Sequence, residues 1–121
     1  MKPLSRWMAL GAALALAATG PAFAHTRLVA STPAANATLK TSPRTITLTF
    51  NERVVPAFST FELTMPAHRM KVPMKTAVSS DGKRIVGTLE NPLMAGSYKI
   101  VWTAAGSDGY KMTGEVAFKV G

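Results

Sequence analysis

Beyond residue 24 the chain alternates between apolar and polar positions. Arg44 to Phe50 reads R-T-I-T-L-T-F, so Ile46, Leu48 and Phe50 are separated by threonines. A period of two is that of a strand with one face buried and one face wet. The period recurs in Phe58 to Met65, where Phe61, Leu63 and Met65 share a face. It recurs again in Ser97 to Ala104, with Tyr98, Ile100 and Trp102, and in Glu115 to Val120, with Val116, Phe118 and Val120. Lys83 to Leu89 is a further run, bounded by the turn-forming pairs Asp81-Gly82 and Asn91-Pro92. A strand near Leu28 and a short one around Val72 to Val78 bring the total to about seven. No segment here has an apolar period of 3.6. Short strands punctuated by Pro and Gly predict an all-β protein, a seven-stranded Greek-key β-sandwich.

The first 24 residues follow a different pattern. Met1 to Trp7 carries Lys2 and Arg6 and no acid, Met8 to Ala18 is apolar on every side, and Ala22-Phe23-Ala24 closes the stretch with small residues. This basic, apolar, A-x-A layout is that of a cleaved secretory signal. The apolar core is shorter than the about 20 residues that span a bilayer. The expected mature chain is residues 25–121, starting at His25 with a free α-amino group.

Removing 24 residues from 121 leaves 97, enough for one small domain. The formal charge of +8 falls to +6 once Lys2 and Arg6 leave. The remaining basic residues are scattered without a block of like charge, and no aromatic–basic interleaving marks a nucleic-acid surface, so nucleic acid is not expected as a partner. The chain has no cysteine. The fold therefore depends on its core alone, thiolate chemistry is excluded, and the remaining soft metal ligand is methionine sulfur. With two histidines and no G-x-S-x-G elbow, a serine triad is disfavoured as well.

Three groups of residues could carry chemistry. An N-terminal His25 offers its α-amine and imidazole Nδ1 to one metal, a chelate that suits Cu(II). The two groups titrate near pH 8 and 6.5, about the reference values, so a metal displaces their protons at modest cost. The second group is Met65-Pro-Ala-His68-Arg-Met70-Lys-Val-Pro-Met74, with three methionines and a histidine within ten residues that two prolines mark as loop or irregular strand. Thioethers are soft, neutral ligands that favour Cu(I), although methionine also fills gaps in cores, and Met65 continues the Phe61, Leu63 face. The third is Gly106-Ser107-Asp108-Gly109-Tyr110, which is turn chemistry and also places a carboxylate where it could ligate a metal or orient an imidazole.

These features occur together in a known family. From His25 to Val120 the chain resembles the periplasmic copper-binding proteins of the CopC type. The resemblance rests on the start H-T-R-L-V-A-S-T-P-A, L-T-F-N-E at 48–52, the Met/His loop, N-P-L-M-A-G-S-Y-K-I-V-W at 91–102 and G-S-D-G-Y-K-M-T-G at 106–114. It implies an immunoglobulin-like or cupredoxin-like sandwich with two copper sites at opposite ends. The implied Cu(II) site takes His25 and Asp108, with Glu52 nearby. The family's third ligand position is a histidine two residues after the aspartate, and here it is Tyr110. The implied Cu(I) site takes Met65, His68, Met70 and Met74.

The resemblance further implies a periplasmic, monomeric, non-enzymatic protein that sequesters copper or hands it on. Its implied partner is an inner-membrane transporter of the CopD type or another periplasmic copper protein. Two alternatives use the same features. One is a metal-free β-sandwich interaction module, suggested by Tyr110 in place of histidine. The other is a copper-dependent polysaccharide monooxygenase, which also uses an N-terminal histidine but needs a second one, and His68 lies in the Met loop.

Overall fold

The computed structural model describes residues 26–121; the expected signal, residues 1–24, and His25 lie outside the described residues. The described residues form nine strands: β1 Leu28–Thr32, β2 Thr38–Leu39, β3 Thr45–Phe50, β4 Thr60–Met65, β5 Met70–Val72, β6 Met74–Val78, β7 Arg84–Leu89, β8 Gly96–Ala105 and β9 Lys111–Val120. They build two sheets, ordered β1-β3-β7-β6 and β2-β9-β8-β4-β5. The chain crosses between sheets repeatedly, as a Greek-key sandwich requires.

Two departures raise the expected seven strands to nine. Residues 72–78 form no single strand. Pro73 has no N–H to offer a ladder and separates β5, on the edge of the five-stranded sheet, from β6, on the edge of the four-stranded one. The two-residue β2 adds a parallel pairing to β9. The strand read from Phe58 begins at Thr60, because Pro56–Phe58 is a single 3-10 turn that leaves Phe58 exposed. The strand read from Glu115 begins at Lys111, making β8 and β9 a ten-residue hairpin in unbroken register from Gly96↔Val120 to Ala105↔Lys111.

The alternation read from the sequence is the alternation that packs. Ile46, Leu48 and Phe50 face inward from β3, Phe61, Leu63 and Met65 from β4, Tyr98, Ile100 and Trp102 from β8, and Val116, Phe118 and Val120 from β9. Each large apolar side chain buried this way contributes about 1.5–3 kcal/mol. Phe50 meets Trp102 edge-on at 5.4 Å between ring centroids, and Tyr98 stacks on Phe118 at 5.5 Å. Asp81-Gly82 forms the predicted turn. Asp81 Oδ1 accepts the Ser79 hydroxyl and the Lys83 N–H, and these bonds, with Arg84 alongside, hold its carboxyl below the usual value of 3.8.

Candidate metal sites

The Asp108 end is built on the β8–β9 turn. Gly106 N–H donates to the Tyr110 carbonyl at 3.1 Å, and Gly109 N–H to the Gly106 carbonyl at 2.9 Å, with Gly109 at φ 82° where other residues are strained. Asp108 Oδ1 accepts the Tyr110 N–H at 2.9 Å, an Asx turn that fixes the carboxylate. The turn is anchored from below: Val54 bridges Gly106, and buried Ser59 accepts the Ala105 N–H through its hydroxyl at 3.1 Å.

Thr26, the residue bonded to His25, is buried against this turn. A methyl group on Gly106 would collide with Thr26 Oγ1 and stand 3.1 Å from Asp108 Oδ1. Asn51 holds the next residue, accepting the Arg27 N–H at 2.7 Å and donating its own N–H to the Arg27 carbonyl at 3.2 Å. The described chain therefore begins beside the Asp108 carboxylate. Tyr110 is 56% exposed, and Lys111 lies 5.5 Å from the exposed Phe58 ring on the same rim. Glu52 is exposed in the bend after β3. Among the described residues no three His, Cys, Asp or Glu side chains gather at one point.

The Met/His segment lies at the other end of β8, roughly 30 Å away at about 3.3 Å per residue. Met65 and Met70 are direct partners across the β4–β5 hairpin. Pro66–His68 makes the turn between them, which Arg69 closes at φ 51° with its N–H on the Pro66 carbonyl at 3.2 Å. Directly opposed residues leave a sheet from the same face. Met65 is buried and Met70 is half-exposed; both line a cleft of about 250 Å3 with no charged side chain in its wall. His68 sits exposed on the turn and is not part of that wall.

The structure separates Met74 from this pair. Its Sδ lies over Gly87, 2.6 Å from where a Cβ would stand, and Phe61 Cζ is equally close to that point. Met74 thus packs between the sheets against Phe61, the gap-filling use of methionine, and does not line the cleft. The third methionine that lines the cleft is Met94, in the loop before β8. Clustering along the sequence could not find it, since it lies 20 residues past Met74.

A family model described as the CopC domain matches residues 28–121. The chain belongs to the CopC family. It is 40% identical over 109 residues to copper resistance protein C of Xanthomonas campestris pv. juglandis, covering 85% of each chain. Among solved structures it is similar to PcoC, a methionine-rich copper resistance protein from Escherichia coli, with a TM-score of 0.73 and 36% identity over 81% of this chain and all of that one. It also matches, at 29% identity over 82% of its length, 18% of the copper transport protein CutJ of Bacillus subtilis.

Proposed function

We propose that this chain is an exported, periplasmic copper-binding protein that sequesters copper and passes it on by ligand exchange. The observation that carries this reading is the Met65–Met70 cross-strand pair with His68 on the turn between them. Two thioethers leave one face of a two-stranded edge, and an imidazole stands one turn away. These ligands are soft or borderline and uncharged, which suits Cu(I). The hairpin lies on an open sheet edge, where an incoming protein can reach the metal and replace ligands one at a time. Family membership and the names of the copper resistance relatives support the same reading.

At the other end we assign Cu(II) to the α-amine and imidazole of His25 with Asp108. The support is Thr26, the residue bonded to His25, which is buried beside the Asp108 carboxylate. Tyr110 occupies the position where a third strong ligand would stand, and water completes the coordination in its place. The partner we assign is a membrane copper transporter of the CopD type. The support is that a relative named as a copper transport protein contains a matching region within a much longer chain.

Titration of the chain beginning at His25 tests the function directly. Competition with chelators should give dissociation constants well below micromolar for Cu(I), and the electron paramagnetic resonance spectrum with one equivalent of Cu(II) should show two nitrogens. Failure to bind either ion more tightly than micromolar would sink the reading. The metal-free interaction module is favoured by one observation, Tyr110 at the position where the family has a histidine. Under that alternative, replacing Met65, His68 and Met70 together leaves copper tolerance of the host unchanged.

A further inference from the structure

We propose that the Cu(I) site draws a ligand from outside the Met/His hairpin: the thioether of Met94, which lines the same cleft as Met65 and Met70. The inference deepens the copper-binding reading and rests on it. Cu(I) favours soft donors; the hairpin brings two sulfurs to one face, while His68 on its turn lies outside the cleft that they line. The methionine nearest in sequence, Met74, is committed to packing against Gly87 and Phe61. The cleft that Met65 and Met70 line is lined by Met94 instead, together with Pro92 and Leu93. No carboxylate lines it, so the wall gives no stabilisation to a second positive charge and selects the univalent ion.

The loop that carries Met94 is held as a ligand arm should be. Leu93 is buried, and its N–H donates to the Ser42 hydroxyl at 2.7 Å. The Met94 carbonyl accepts the Tyr98 hydroxyl, also at 2.7 Å, from a ring that is 2% exposed. The backbone of residues 93 and 94 is thus tied at two points while the Met94 side chain stays 61% exposed. Met70, in the same cleft, is 50% exposed. Two long apolar side chains left in solvent in one cleft gain little as packing, and as thioether ligands they are free to close on an ion. Met65 supplies the floor. Its Cε lies against Gly96, 2.6 Å from where a Cβ would stand, so the glycine makes room for this thioether at the cleft's base.

The test uses the chain from His25 with 13C-labelled methionine methyls, titrated anaerobically with Cu(I) against a competing chelator. One equivalent of Cu(I) should shift the methyl resonances of Met65, Met70 and Met94 and leave those of Met74 and Met112 in place. Met94→Leu should weaken Cu(I) binding at least tenfold, and Met74→Leu less than twofold. An unmoved Met94 methyl, or a Met94→Leu chain within twofold of the parent while Met70→Leu loses tenfold, overturns the proposal and leaves a hairpin Cu(I) site standing. Absence of any Cu(I) binding by the parent chain overturns both.

Discussion

Tyr110 is the residue on which the proposed Cu(II) site turns. Its backbone N–H closes the Asx turn on Asp108, while its side chain is more than half exposed. A neutral phenol is a poor ligand for Cu(II). An imidazole at the same place would add a nitrogen without disturbing packing. Tyr110→His is therefore expected to tighten Cu(II) binding at least tenfold, about 1.4 kcal/mol, and to raise the nitrogen count in the paramagnetic resonance spectrum from two to three. An unchanged spectrum would show that residue 110 does not face the metal.

Tyr98 is the contrasting case. Burial raises its pKa above the usual 10.0, because the phenolate would lose its hydration. The folded state then holds the proton more tightly than the unfolded chain. This contribution to stability is fully present below about pH 10 and is lost as pH rises through the folded value. Ionisation also removes the hydroxyl proton donated to the Met94 carbonyl. Urea denaturation across pH 9 to 11 should show the parent losing stability more steeply than Tyr98→Phe. Parallel profiles would mean that the hydroxyl titrates as it does in water.

At the scale of elements, the two hairpins divide the work. The β8–β9 hairpin is long and rigid, ending in a turn stabilised by its own aspartate. The β4–β5 hairpin is short and at a sheet edge, with three paired positions. The β6–β7 pair separates packing from ligation among the methionines. Gly87→Ala would drive a Cβ into both Met74 Sδ and Phe61 Cζ. Overpacking of this kind costs about 1–3 kcal/mol. We expect that loss in chemical denaturation, and partial recovery when Met74→Ala is added, since the thioether is one of the two obstructions. No recovery would place the conflict with Phe61 alone. Cu(I) affinity should be the same in the folded Gly87→Ala chain, as β6 does not line the cleft.

For the molecule as a whole, the two candidate sites sit at opposite ends of β8, joined by a packed core and sharing no ligand. Perturbations so far apart add without coupling. Asp108→Ala should therefore leave Cu(I) affinity within twofold, and Met94→Leu should leave Cu(II) affinity within twofold. A larger cross-effect in the double variant, measured by the same chelator competition, would mean that copper at one end is felt at the other.

Much of this molecule was legible along the chain. Alternation of apolar and polar residues determined which side chains form the core, because a strand's two faces are set by local geometry alone. Turn pairs such as Asp81-Gly82 marked where strands end for an equally local reason. The Asp108 turn and the Met/His segment were visible because their residues are neighbours in sequence. What only the tertiary structure decided was which of these residues meet. Pro73 sends β5 and β6 to different sheets, and that separation takes Met74 away from Met65 and Met70. The crossing of the chain brings Met94 to the cleft and sets Thr26 against Gly106. Such meetings depend on how sheets stack and where loops return. Residue type and spacing determined the chemistry on offer, and the packing of distant segments decided which thioethers share a cleft.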